Sequence, residues 1–203
     1  ILDIYSESPN SSDSYVFASG SDQCGNYSGE SDCYNREHSF PRSWFGGAVN
    51  PMNTDVHHIF ATDGYVNSKR CSYPYGEVNS ASFISANGSK VGSTSSSLGY
   101  TGTVFEPIDE FKGDLARAYF YMATRYENDI DGWDSNSSYA DAVLNGSRDK
   151  VFETWFLTML KIWHTQDPVS QKEIDRNEAA YSYQGNRNPF VDYPSFVTEI
   201  WGN

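Results

Sequence analysis

The chain has 203 residues, 38% of them hydrophobic and 20% charged, a balance that suits a folded domain and excludes a disordered polyelectrolyte. Its formal net charge of -13 excludes a general polyanion binder that works through overall positive charge. No apolar run approaches the roughly 20 residues that span a bilayer, so no membrane partner is expected.

Rings supply much of the apolar mass: 15 Tyr, 12 Phe and 5 Trp. Each buries a large area, so a single domain over residues 1–203 can build a core despite few aliphatics. Residues 1–30 are rich in Ser, Asn, Asp and Gly and read as an irregular N-terminal arm with at most a short helix or strand. Ile1-Leu2-Asp3-Ile4 leads directly into polar sequence without a signal peptide, as the mature form of a secreted or periplasmic protein would. Of Cys24, Cys33 and Cys71, the first two lie close together around Gly25 and Gly29 and suit a small closed loop. A Cys24–Cys33 disulfide is the expected pairing, with reduced cysteines or a bridge to Cys71 as the alternatives. No Cys-x-x-Cys occurs and the histidines are not spaced to complete a zinc site.

Residues 31–80 are dense in His, Asn, Arg and aromatics, the composition of a site built on loops over a scaffold. Residues 85–103 are small and polar and read as turns between short strands, or as a mobile surface loop. Beyond 110 the pattern turns helical. Leu115, Tyr119, Met122 and Tyr126 make one stripe, and Val151, Phe152, Trp155, Phe156, Met159, Leu160 and Trp163 make a second, largely buried helix that ends before Asp167-Pro168. A third helix is expected from after Pro168 to about Tyr183, with Ser170 and Glu173 as its capping box and Gly185 as its stop. The fold class is α+β: one domain, mainly helical, with short strands.

The chemistry-bearing residues cluster early. Glu37 sets a carboxylate beside the His38 imidazole, and Asn67 and Arg70, three apart, share a face if helical. Glu37 and the Asn67 amide offer oxygen ligands to a hard divalent cation, which keeps several waters. His38 can serve as a general base, and Arg70 can clamp a phosphate oxygen. Together these are the parts of a phosphodiester hydrolase, although a Glu-His pair and an Asn-Arg pair more often serve hydrogen-bond networks and capping.

Larger blocks carry a resemblance. Asn35-Arg36-Glu37-His38-Ser39-Phe40-Pro41-Arg42-Ser43-Trp44-Phe45, Asp55-Val56-His57-His58-Ile59-Phe60, Val66-Asn67-Ser68-Lys69-Arg70, Phe105-Glu106-Pro107 with Lys112 to Met122, and Asp167-Pro168-Val169 through Asp192 follow in order. Across residues 33–194 the chain resembles the bacterial endonuclease I family. The resemblance implies a ββα-metal active-site motif, with His38 as general base and Glu37 and Asn67 as ligands to one Mg2+ or Ca2+. It also implies non-specific cutting of DNA, and of RNA too, to 5'-phosphate ends. Arg70 and Arg117 are candidate catalytic arginines, and Arg36, Arg42, Lys69 and Arg187 candidate substrate contacts. For Arg117 a polar seam in the protein is the competing role. His57 or His58 is expected to be a buried, satisfied histidine, Glu106 a loop carboxylate, and His164 a helix C-terminal dipole partner. The turn from Gln184 to Pro189 is expected to brace the site through amide and backbone hydrogen bonds.

Arg36, Arg42, Lys69, Arg70, Arg117, Arg176 and Arg187 are seven of the 14 Lys and Arg and fall inside the matched blocks. If they converged on one cleft, a negative protein could still bind DNA. The expected partner is therefore DNA, with RNA second, and the expected state a monomer without a protein partner. The competing functions are a catalytically silent binding module on the same fold and a phosphodiesterase for small substrates.

Overall fold

A computed structural model describes residues 1–94, 97 and 99–202. The chain is α+β and falls into two compact units. Unit 1 holds residues 1–37 and 60–111, and unit 2 holds residues 38–59 and 112–203.

Unit 1 contains most of a strand–strand–helix unit. Strand β1 (Tyr34–His38) pairs with β2 (Ile59–Asp63), and β2 runs directly into helix α1 (Gly64–Arg70). Asp63 makes that sharp entry possible, because its side chain accepts from the Val66 N–H and caps the helix. Ahead of β1, residues 1–30 hold no regular strand or helix; Gln23 makes a single bridge to Tyr34. Cys24 and Cys33 are joined by a disulfide at the foot of β1, and Cys71 is free and exposed. After α1 come β3 (Val78–Ile84), β4 (Lys90–Thr94) and β5 (Thr103–Glu106), an antiparallel sheet in that order. Of the small, polar residues 85–103, those from 85 to 89 turn between β3 and β4, and β4 itself lies within the stretch. The mobile-loop alternative for that stretch falls partly on Ser95, Ser96 and Leu98, outside the described residues. Tyr75 adds a parallel bridge to Phe105 of β5. The core of this unit includes Tyr5, Val66, Tyr75, Val104 and Phe105, all with no exposed surface.

Unit 2 is helical. Helix α2 (Lys112–Arg125) is buried from Lys112 to Ala123, and after α3 (Ser138–Asp141) helix α4 (Thr154–Gln166) buries Trp155, Phe156, Met159, Leu160 and Trp163. Tyr119 of α2 meets Phe156 of α4 at a ring separation of 5.2 Å. Gly113 opens α2 where the chain from α4 crosses it: a Cβ there would overlap the Asp167 carbonyl oxygen. The Asp167 carboxylate accepts from the Gly113 N–H at 2.8 Å. Val151 and Phe152, expected in the second helix, lie before it. Val151 has a φ of 63° and Phe152 bridges to Leu144, so their apolar spacing reflects a strand-like seam. Helix α5 (Gln171–Gln184) has the full capping box of Ser170 and Glu173 and stops at Gly185, whose φ of 80° is the left-handed cap. Helices α6 (Pro189–Asp192) and α7 (Phe196–Trp201) close the unit, with Phe190 and Trp201 packed on Phe120 at 5.7 and 4.7 Å.

Candidate active site

Glu37 sits near the end of β1 and is 4% exposed. Tyr5 donates its hydroxyl to Glu37 Oε1 at 3.2 Å, and Arg70 Nε lies 3.3 Å from the same oxygen. Asn67, one turn before Arg70 on α1, is close enough to lower the carboxyl's pKa as well. Burial nonetheless pushes the Glu37 carboxyl up to about 7, against the lowering by Arg70, Tyr5 and Asn67. Asn67 also donates to Asn35 Oδ1 at 2.7 Å. That bond uses an amide hydrogen, so the Asn67 carbonyl oxygen is the atom with ligand capacity.

This pair fits a hard divalent ion. The donors are a carboxylate and an amide oxygen, and the buried carboxylate is short of positive charge. Among the described residues no group of three or more His, Cys, Asp or Glu gathers to hold a metal. An ion held here would therefore keep water in most of its coordination shell, as Mg2+ does.

His38 follows Glu37 in the chain, so the two side chains leave the strand on opposite faces. Its Nε2 lies 3.0 Å from the Asn53 carbonyl oxygen. A carbonyl only accepts, so Nε2 carries the proton and Nδ1 holds the lone pair. The ring is half-buried beside Phe45 and His58, at 6.5 and 5.4 Å.

His58 has no exposed surface and donates from Nε2 to the Met52 carbonyl at 2.7 Å. Burial pulls its pKa down to about 4, and His38 and Arg176 add to that. His57, 1% exposed, meets the Asn186 carbonyl through Nε2 at 3.1 Å. Both histidines are buried and anchored through Nε2, and His58 Nδ1 is a buried nitrogen without a hydrogen-bond partner among the described residues. Between them and the α5 cap stands Asp55. Burial raises its pKa, but hydrogen bonds from Gln184, Tyr126, Tyr121 and the His57 N–H outweigh that and leave it lowered. The Gln184 to Pro189 turn thus reaches Asp55 through Gln184 at 2.8 Å and Tyr121 through Asn186 at 2.6 Å.

The arginines take separate positions. Arg70, 1% exposed, lies beside Glu37, with its guanidinium 4.8 Å above the Tyr75 ring and Nη1 on the Cys71 carbonyl at 3.2 Å. Arg117 has no exposed surface and meets both oxygens of Glu173 at 2.6 Å, the Asp167 carbonyl at 2.9 Å and His164 Nδ1 at 3.3 Å. A phosphate contact would require this network to open; as it stands, Arg117 links α2 to α4 and α5. Because Arg117 donates to His164 Nδ1, the other His164 nitrogen donates to the Pro194 carbonyl at 3.2 Å. Arg176 donates to the Val56 and Ile59 carbonyls, and Arg187 pairs with Asp192 and Glu178. Arg36 and Arg42 are exposed, and Lys69 is half-buried with its Nζ 4.6 Å above the Tyr65 ring. Four of the seven blocked cations are therefore held by protein acceptors rather than gathered for a ligand. Glu106, 8% exposed, accepts from the Val78 N–H and pairs with Lys90 at 3.3 Å, a strand-end carboxylate in the β sheet.

Tyr5, Asn53 and Tyr75 were not singled out from sequence, and Asp55 only as the opening residue of a matched block. Each reaches its partner across a long stretch of chain, and nothing local marks a tyrosine that will meet a carboxylate 32 residues away.

The family model described as Endonuclease I matches residues 1–195. The chain is 40% identical over 171 residues to the extracellular ribonuclease of Bacillus amyloliquefaciens, covering 83% of this chain and 54% of that protein. The extracellular ribonuclease of Bacillus subtilis (strain 168) is 39% identical over the same shares. A periplasmic deoxyribonuclease of Aeromonas hydrophila is 26% identical over 144 residues, 70% of this chain and 49% of that one. The chain spans about half the length of the curated relatives it matches.

Proposed function

Because the chain belongs to the endonuclease I family, we propose that it is a metal-dependent, non-specific endonuclease that hydrolyses phosphodiester bonds in DNA and RNA. The observation that carries the proposal is the carboxylate–amide pair of Glu37 and Asn67, with a histidine of fixed tautomer next to Glu37 in the chain. Relatives named for ribonuclease and for deoxyribonuclease activity support both substrates.

In this assignment Glu37 and Asn67 hold one Mg2+ or Ca2+, which when bound supplies positive charge toward the phosphate and the leaving oxygen. His38 does the proton work. The Asn53 carbonyl keeps Nε2 protonated, so Nδ1 takes a proton from the attacking water. The water oxygen bonds to phosphorus, the bond from phosphorus to the 3' oxygen breaks, and that oxygen takes a proton from solvent, leaving a 5'-phosphate and a 3'-hydroxyl. Of the seven cations in the matched blocks, the exposed Arg36 and Arg42 and the half-buried Lys69 are those left to steer phosphates. With so few, and a net charge of -13, binding falls less with salt than for a basic nuclease. Arg70 acts by holding Glu37 rather than by a phosphate clamp.

Secretion fits the same assignment. Relatives are named extracellular and periplasmic, the Cys24–Cys33 disulfide suits an oxidising compartment, and among the described residues no helix is long and apolar enough to cross a membrane. The protein acts as a monomer.

Supercoiled plasmid and a structured RNA, incubated with the protein in Mg2+ or Ca2+ and in EDTA, test the proposal. Nicking is expected with metal and not with EDTA. The His38→Ala variant is expected to lose on the order of 100-fold or more in rate, the scale of a missing general base. No cutting of either polymer in metal would refute the enzyme, and undiminished cutting by His38→Ala would remove the base.

A further inference from the structure

We propose that Tyr5, carried on the N-terminal arm, is a positioning residue that fixes one oxygen of Glu37 so that the other is presented to a divalent metal. The inference rests on the metal-dependent function proposed above.

Tyr5 lies in the arm of residues 1–30, which holds no regular strand or helix, yet it has no exposed surface. The arm is tied down around it. The Asp3 carboxylate accepts from the Tyr5 N–H at 2.8 Å, Glu7 N–H reaches back to the Asp3 carbonyl at 2.8 Å, and Ile4 donates to Ala61 of β2 at 3.3 Å. The Tyr5 ring lies 4.6 Å from Phe105. This anchoring brings the hydroxyl to Glu37 Oε1 at 3.2 Å and to the Tyr75 hydroxyl at 2.8 Å.

Counting hydrogens gives the chain of bonds a direction. A phenol has one hydrogen and an ionised carboxylate has none. Tyr5 must spend its hydrogen on Glu37, so it accepts from Tyr75. The order is Tyr75 to Tyr5 to Glu37, and each hydroxyl orients the next. Arg70 Nε approaches the same Oε1 at 3.3 Å. Two groups from separate segments thus hold one oxygen of the carboxylate, and its rotation is restricted from both sides. Groups that hold a metal ligand in place commonly set metal affinity by 10–100-fold.

Tyr5→Phe keeps the ring on Phe105 and deletes only the hydroxyl. By isothermal titration with Mn2+, in the absence of nucleic acid, its affinity is expected to fall about 10-fold. Cutting at saturating metal is expected to return to within about 3-fold of wild type, because His38 is untouched. A purely structural tyrosine would instead lower the melting temperature without moving metal affinity. Tyr75→Phe, which removes the donor to Tyr5 but leaves the Tyr5–Glu37 bond, is expected to lose about 3-fold. Glu37→Gln serves as the control. If it binds Mn2+ as wild type does, the metal assignment itself fails. If it loses binding while Tyr5→Phe binds normally, only the positioning role is overturned. Should Tyr5→Phe not fold, Tyr75→Phe carries the test, and unchanged Mn2+ affinity there overturns the role.

Discussion

Arg117 and Glu173 meet through two hydrogen bonds of 2.6 Å, while Arg70 and Glu37 meet through a single approach of 3.3 Å, although all four side chains are buried. In the first pair both carboxylate oxygens are claimed, one of them also by the Ser170 N–H. Each charge finds its opposite in a planar, two-point fit, which is the arrangement that keeps buried ions in place. In the second pair, Tyr5 and Arg70 share one oxygen. Burial raises the Glu37 and the Glu173 carboxyl alike to about 7, so the two pairs differ in geometry. A fully matched carboxylate fastens helices together. One held through a single oxygen leaves the other for a further cation, and that is the property a metal ligand needs.

Removing the matched arginine is the harshest way to test the contrast. Arg117→Met strands the Glu173 charge in the interior and is expected to cost about 3–5 kcal/mol in urea denaturation. Cutting per folded molecule should stay near wild type. A stable variant with collapsed activity would instead place Arg117 on the substrate and erase the distinction between the pairs. Arg70→Met is expected to cost about 3 kcal/mol in EDTA. Here the gap to wild type should change when Mg2+ is added, because Arg70 touches the carboxylate assigned to the ion and ligand binding stabilises the folded state. A gap independent of Mg2+ would make this pair as purely structural as the other.

Acid sharpens the same difference without touching an arginine. The Glu37 carboxyl is raised in the folded state to about 7 from an ordinary 4.5. The folded form therefore takes up the proton first, and the stability this contributes is full below about pH 4.5 and lost as pH rises through 7. In EDTA, wild type should gain about 1 kcal/mol between pH 7.5 and 6 relative to Glu37→Gln, measured by denaturant melts. Parallel pH profiles would show that Glu37 is ionised throughout. At the matched pair, Ser170→Ala breaks the capping box and should cost about 1 kcal/mol with unchanged metal affinity.

These contrasts explain what could be read from sequence. The capping box of α5 was legible because its parts lie within one turn, and the stripe of α2 because helical periodicity is local. The strand–strand–helix order around Glu37 and Asn67 came through the resemblance, since β1 and β2 are too short to announce themselves. Val151 and Phe152 continued the apolar rhythm of α4, and nothing in that rhythm reveals a backbone φ of 63° at Val151. Charge was misleading in another way. Sequence counts cations but not their partners, and Arg117, Arg176 and Arg187 are committed to acceptors on their own unit. The Tyr5–Tyr75 link spans 70 residues and had no local signature at all.

Gly113 has a consequence for anyone screening this protein by random mutagenesis. Any side chain there would run into the Asp167 carbonyl oxygen, and backbone cannot step aside as a flexible side chain can. In a selection for surviving activity, position 113 should be as intolerant as His38, even against alanine. The two would look alike in a survival map, and only soluble yield would separate a lost fold from lost chemistry.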